Sequence, residues 1–302
     1  MPLQIPFDEY LKQEVARVKG QYYPVRSSIL RQFLTKHAAY QALHPNPEDE
    51  FCFPDIGPNY EIISKYVKAF RDARRKGIDL SKEPSGLEEP LIVQRTMPDG
   101  YMILNGHHRW AAAIRAGESK LRVRVVNTTQ AEDIRNMLEH SSSDVRVSLD
   151  LDEVVFCNGD DPNKEPPLYF PLNYCFREPV RKGIPALFHF LNEQKYDIWV
   201  YTSKYYSMDY IRALFGAHHV RLCGIVTGAG RKELGGSDGG KSLKQLAENR
   251  YRWTIMIDRT MVLQIHSGTH ECNERMLTGP ENEWSLEVMN VIREMTGNDK
   301  DS

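Results

Sequence analysis

Apolar residues fall at helical spacing at Phe7, Leu11, Val15 and Val18, which predicts an amphipathic helix over Phe7–Lys19 closing near Gly20. Tyr22–Arg26 reads as a short strand, and Ser27 or Ser28 as the cap of a second helix reaching about Ala42. A turn-rich loop, His44–Glu50, precedes a helix opened by Pro58-Asn59, with Ile62, Ile63, Val67 and Phe70 on one face and Gly77 at its end. Pro90–Gln94, the turn Pro98-Asp99-Gly100 and Tyr101–Asn105 predict a hairpin that feeds through Gly106 into a helix closing at Gly117. A strand over Leu121–Val126 and a helix over Thr128–His140 complete this half.

The polar run Ser141-Ser142-Ser143-Asp144 is the expected linker. Beyond it, strands at Val147–Asp152, Tyr196–Thr202, Val220–Val226 and Trp253–Asp258 alternate with helical stretches at Phe176–Leu191 and Asp209–Phe215. That alternation predicts an α/β domain with a mainly parallel sheet, whose ligands bind outside the carboxyl ends of the strands. Cys157–Pro171, rich in Asn, Gly, Asp and Pro, is expected to leave the first strand as a loop or flap. The expected division is an N-terminal helix over 1–20, a first domain over 21–140, a linker over 141–146, a second domain over 147–297 and a tail over 298–302.

At 302 residues with 41% apolar and 26% charged positions, two cores are expected, and a net charge of −2 does not favour nucleic acid as a partner. The five cysteines are scattered without a CxxC pair, which fits a reducing cytoplasm better than a disulfide framework. No apolar run approaches a membrane span, and the first residues lack the pattern of a signal peptide. His266, His270 and Cys272 are expected in a polar loop and are not read as a metal site.

The chemistry concentrates in a few strand ends. Asp150 and Asp152 sit at positions i and i+2 of an apolar strand, a spacing that turns both carboxylates to one face. Thr202-Ser203 ends the next strand, Lys241 opens a helical stretch after a glycine-rich loop, and Asp258 closes a third apolar strand. Gly235–Ser242 formally matches a P-loop, yet no apolar strand leads into it and that reading leaves Asp150, Asp152 and Thr202 unused. In the first half, Gly106 lets backbone approach a ligand, while His107, His108, Arg109 and the free N–H groups of a first helical turn can serve an anion.

Gly106-His107-His108-Arg109-Trp110-Ala111, preceded by Pro90-Leu-Ile-Val, Asp99-Gly100-Tyr101 and Ile103-Leu104, resembles the signature of the ParB/sulfiredoxin superfamily over roughly 20–127, and most closely its free serine kinases. The resemblance implies a small α/β nucleotide-binding domain in which Asn105 to Arg109 hold the transferring phosphate and Glu61 is the candidate base. Asn105 stands where those kinases carry aspartate, and His107 where sulfiredoxins carry their reactive cysteine, so sulfinic acid reduction is not implied.

Strand acid, strand hydroxyl, lysine and strand acid, in that order, resemble the haloacid dehalogenase (HAD) phosphatases over roughly 146–262, and within them the small phosphatases of the RNA polymerase II C-terminal domain. The resemblance implies a HAD-like doubly wound domain with Asp150 as nucleophile, Asp152 as general acid/base, Thr202, Ser203 and Lys241 around the phosphoryl group, and Mg2+ on Asp150, Asp152 and Asp258. Arg259 departs from the pattern, because those enzymes usually carry Asp or Asn after the strand acid. The expected function is bifunctional phosphoryl transfer: a kinase-like first domain using ATP or ADP on a small hydroxyl compound, and a Mg2+-dependent phosphatase acting on a phosphorylated small molecule. The alternative is a nucleotide-sensing or DNA-binding regulatory protein whose second domain is a phosphate-binding scaffold.

Overall fold

A computed structural model of the chain describes residues 5–77, 89–228, 250–269 and 271–297, and the chain divides into two compact units, Met1–Asn127 and Thr128–Ser302. The division precedes helix α5 (Ala131–Glu139), which packs Ile134 and Leu138 against Trp199, Val226 and Tyr251 of the second unit. The serine run expected as a linker is tied in as well. Ser141 donates through its hydroxyl to buried Asp197, and Arg250 donates to the carbonyls of Ser141 and Ser143.

The first unit opens with α1 (Phe7–Val18), which turns Phe7, Leu11 and Val18 inward as its spacing predicts. The second helix is far shorter than expected. Ser28 accepts from the Arg31 N–H and α2 runs only over Ile29–Leu34. The chain then becomes β2 (His37–Ala39), because Ala38 is buried where this segment pairs antiparallel with β6 (Lys120–Val125). Edge pairing thus overrides a helical propensity that buries nothing, since α2 contains no buried residue.

The sheet order is β2, β6, β4 (Leu91–Met97), β5 (Tyr101–Asn105), β3 (Leu43–His44), with β1 (Tyr23–Pro24) pairing on β4. Strands β4 and β5 form the expected hairpin, while β4 runs parallel to β6. Asn59 caps α3 (Tyr60–Lys76) by accepting from the N–H groups of Glu61 and Ile62, and Gly77 ends it at φ 62°. Helix α4 (His107–Ala116) buries Trp110 and the alanines 111–113 completely. Small side chains let it lie close to α3, and Trp110 meets α1, contacting Phe7 edge-on at 6.0 Å.

The second unit holds a sheet ordered β12, β11, β10, β7, β8, β9. β7 (Val145–Asp150), β8 (Asp197–Thr202), β9 (Gly224–Thr227) and β10 (Trp253–Ile257) are mutually parallel. The polar stretch around His266 is no loop. It forms β11 (Met261–His266) and β12 (Cys272–Met276), antiparallel additions that make the sheet mixed. Its missed signal is the alternation of β11, where Val262 and Gln264 face in and their neighbours are less buried.

Helices α7 (Ile184–Glu193) and α9 (Trp284–Gly297) pack on each other, and α7, α8 (Met208–Ala217) and α9 supply buried Leu187, Phe188, Ile211, Phe215, Val288 and Ile292 to one core with Val147, Leu149, Ile198 and Val200. A short helix α6 (Leu172–Cys175) precedes α7. The core holds the parallel strands in register, so the ends of β7, β8 and β10 are fixed beside one another. All five cysteines are free, and no helix among the described residues is long and apolar enough to cross a membrane.

Candidate functional site

Parallel pairing sets the site of the second unit. Asp150 is the last residue of β7 and lies in register with Tyr201, so Thr202 ends β8 one position further on. Ile257 of β10 lies in register with Leu149, which places Asp258 directly after the neighbouring strand end. The chain leaves β7 toward β8 and β9 and returns to β10 on the opposite flank of β7. The carboxyl ends of β7 and β10 therefore flank a topological switch point, where open α/β sheets bind ligands.

Asp150 and Asp152 do not occupy one strand face as their spacing predicts. β7 stops at Asp150, and Leu151–Val155 forms a single π-helical turn. A turn that leaves a strand has unpaired N–H groups, and Asp150 satisfies them: its Oδ1 accepts from the N–H of Asp152 at 2.8 Å and of Glu153 at 3.1 Å. One-turn π segments concentrate at functional sites. The turn sends Asp152 toward β8, where its Oδ2 accepts from the Thr202 hydroxyl at 2.7 Å. Thr202 is fully buried and also accepts the Lys204 N–H at 3.0 Å. The Lys204 ammonium lies 3.0 Å from Asp152 Oδ1.

Sequence reasoning passed over Lys204, whose only signal is its position two residues past a strand-end hydroxyl. Its ion pair has a 65% exposed lysine side chain, and such pairs contribute about 0–1 kcal/mol. Ser203 is exposed. Asp258 is exposed, and its Oδ1 accepts from the Thr260 N–H at 3.3 Å. Arg259 has a structural explanation: its guanidinium donates to Glu281 at 2.9 Å, its carbonyl accepts from the Trp284 indole, and Glu281 also takes Arg181 at 2.9 Å. Lys241 and the P-loop-like Gly235–Ser242 lie outside the described residues.

A cavity of about 710 Å3 opens beside Asp152, with Glu153, Phe156, Cys157, Glu178, Lys204, Tyr206 and Arg259 on its wall. That volume suits a small-molecule ligand. Cys157, the first residue of the expected flap, thus borders it, and burial together with nearby Asp161 pushes its thiol pKa up, so it is no ready nucleophile.

No three His, Cys, Asp or Glu side chains among the described residues are grouped to hold a metal ion. The Asp152 carboxylate, expected as a ligand, is engaged by Thr202 and Lys204. Asp150, whose Oδ1 accepts two main-chain N–H groups, and Asp258 are hard oxygen donors at the ends of adjoining strands. Two carboxylates suit Mg2+, which keeps several waters and takes its other ligands from substrate phosphate, so the donor set fits a two-carboxylate Mg2+ site and not a three-carboxylate cage.

In the first unit, Asn105 to Arg109 meet at the β5–α4 junction. Gly106 sits at φ 102°, and a Cβ there would overlap Leu91 and press on the Arg109 guanidinium. The histidines do not present Nε2 donors to an anion. His107 Nε2 accepts the Asn46 N–H at 3.2 Å, and His108 Nε2 accepts the Asn59 N–H at 3.1 Å. Each ring is therefore a neutral anchor for a loop. Burial drives the His107 pKa down to about 4 against the opposing pull of Asp49, and burial lowers that of His108 as well.

Arg109 is buried, donating to the Glu89 carbonyl at 2.6 Å and to Asn105 at 3.3 Å. Glu61 is exposed and pairs with Lys65 at 2.8 Å. His108 joins the amino ends of α3 and α4, so Glu61 lies in the first turn of the helix whose cap touches the junction.

The segment 63–142 matches the ParB N-terminal domain, beginning inside α3 and running through α4, β6 and α5 into the serine run that follows. No curated protein matches the chain.

Proposed function

We propose that the second unit is a phosphatase of the haloacid dehalogenase type working through an aspartyl-phosphate. The observation that carries this reading is the convergence of Asp150, Asp152 and Thr202 at the ends of adjoining parallel strands, joined by the 2.7 Å bond between Thr202 and Asp152. Asp150 attacks the phosphorus, forming a new P–O bond as the bond to the leaving oxygen breaks. Asp152, which takes up a proton from solvent once the phosphate is bound, gives that proton to the leaving oxygen. In the second step Asp152 takes a proton from water, the water oxygen bonds to phosphorus, and Asp150 is released with inorganic phosphate.

Thr202 orients Asp152 and offers a hydroxyl to a phosphoryl oxygen, while Lys241 is assigned to the same group by sequence. Bound at Asp150 and Asp258, Mg2+ would supply positive charge that offsets repulsion between the carboxylate and the phosphoryl oxygens. Hydrolysis of p-nitrophenyl phosphate that requires Mg2+ and vanishes in Asp150→Asn is the expected result. Absence of turnover with every divalent metal would refute it.

For the first unit we propose nucleotide-dependent, kinase-like transfer from ATP or ADP to a small hydroxyl compound, with Gly106 and the first-turn N–H groups of α4 at the phosphate and Glu61 as base. What supports it is the left-handed Gly106 that opens α4 beside the paired helix amino ends; the two histidines have a different part from the one their sequence suggests, as loop anchors. Alcohol-dependent nucleotide consumption, lost in Arg109→Ala, tests it. Salt-sensitive DNA binding without nucleotide turnover would favour the regulatory alternative.

A further inference from the structure

Among the described residues three cations stand on the cavity wall, and two of them are tied to the fold. Arg181 is buried and donates to the Val154 carbonyl at 2.8 Å and to Glu281 at 2.9 Å. Arg259 donates to the same carboxylate. Lys204 differs: its side chain is 65% exposed, and its ammonium meets a residue assigned to the chemistry, Asp152, at 3.0 Å. From this contact we propose that Lys204 captures the substrate phosphate by exchanging Asp152 for it. The inference rests on the phosphatase reading of the same site.

The exchange follows from charge. The ammonium end of the pair is 65% exposed and the Asp152 side chain 15%, so water competes for the lysine and the pair is modestly held, while a phosphate monoester carries about −1.5 to −2 at neutral pH. At equal distance and dielectric its attraction for the ammonium is therefore up to about twice that of a carboxylate. Lysine suits the task because its charge is compact, sits on a flexible stem and carries three rotatable donors. The lysine backbone stays fixed, since its N–H is bound to the buried Thr202 hydroxyl at 3.0 Å. Only the side chain needs to swing, from Asp152 into the cavity that both residues line. No covalent bond changes in this step. Its result is an ammonium on the phosphate and an Asp152 carboxylate that, freed of its cation, takes up from solvent the proton it then gives to the leaving oxygen.

The test compares the full-length wild type with Lys204→Met and Lys204→Arg. For p-nitrophenyl phosphate, the methionine variant is expected to raise KM and the inhibition constant of inorganic phosphate about tenfold, the effect of losing one charged contact of about 1.4 kcal/mol. Its kcat stays within about threefold of wild type, and arginine recovers most of the loss. Unchanged KM and phosphate inhibition, or a fall in kcat at constant KM, would overturn the exchange. Should the wild type hydrolyse nothing, the phosphatase reading fails by itself, and calorimetric binding of inorganic phosphate decides for Lys204. A dissociation constant about tenfold weaker in Lys204→Met sustains capture; equal affinities, or no phosphate binding by the wild type, overturn it.

Discussion

Replacing Thr202 with valine keeps the shape of the side chain and removes its hydroxyl. Thr202 is fully buried, its Oγ1 donates to Asp152 at 2.7 Å, and the same oxygen accepts the Lys204 N–H at 3.0 Å. A hydrogen bond to a charged partner contributes about 1.5–3 kcal/mol. Asp152 keeps 15% of its side chain exposed, so water recovers part of the loss, which puts the expected destabilisation at about 2 kcal/mol. Serine keeps both bonds and loses one methyl group, costing about 1 kcal/mol. For a unit of this size each kcal/mol moves the midpoint by roughly 2–4 °C, so valine lowers it by about 4–8 °C and serine by about half that.

Activity separates the two variants more sharply. If the hydroxyl aims Asp152, valine lowers kcat on an alkyl phosphate by about 10- to 100-fold, whereas serine stays within about threefold. Calorimetry and steady-state kinetics read both effects. A valine variant as fast as wild type would refute the assignment of Thr202 as the residue that orients Asp152. Equal losses in both variants would trace the effect to packing.

Asp150→Asn retains an oxygen to accept from the N–H groups of Asp152 and Glu153, so stability measured by denaturant changes by less than about 1 kcal/mol while phosphatase turnover falls by about 10³-fold or more. Gly106→Ala is expected to destabilise the first unit by about 2 kcal/mol or more in thermal unfolding, because φ 102° is strained for any Cβ and Leu91 occupies the space it needs. His107 has a pKa lowered in the folded state from 6.5 to about 4, so the unfolded chain binds the proton first as pH falls. Stability is then lost between roughly pH 6.5 and 4, by up to about 3 kcal/mol. Denaturation at several pH values checks this, and His107→Gln should flatten the slope.

Legibility followed locality. The β4–β5 hairpin and the helix from His107 to Gly117 are read correctly, as is the existence of the strand that carries Asp150 though not its end, because turn residues and periodicity lie within a few positions. The helix expected to reach Ala42 fails because the segment His37–Ala39 answers to β6, far away in sequence. The hairpin after Asp258 is hidden by its polar, edge-strand composition: β12 exposes four of its five residues. The residues at the second-unit site are legible as types at strand ends, yet their partners are not. Nothing in the local pattern announces that Asp152 meets Lys204, or that Glu281 takes Arg259.

The partners explain how two carboxylates two positions apart can be given different work. Asp150 is pinned through Oδ1 by two main-chain N–H groups, donors that move only if the turn unwinds. Asp152 is held by one hydroxyl and one exposed ammonium, both of them side-chain groups that can reorient. A nucleophile gains from a fixed attack geometry, whereas a group that gives up and later recovers a proton must face first the leaving oxygen and then a water. The rigid support belongs to the residue proposed to attack and the adjustable one to the residue proposed to move protons. The π-helical turn creates that asymmetry, because it ends the strand between the two acids and sends them to different neighbours.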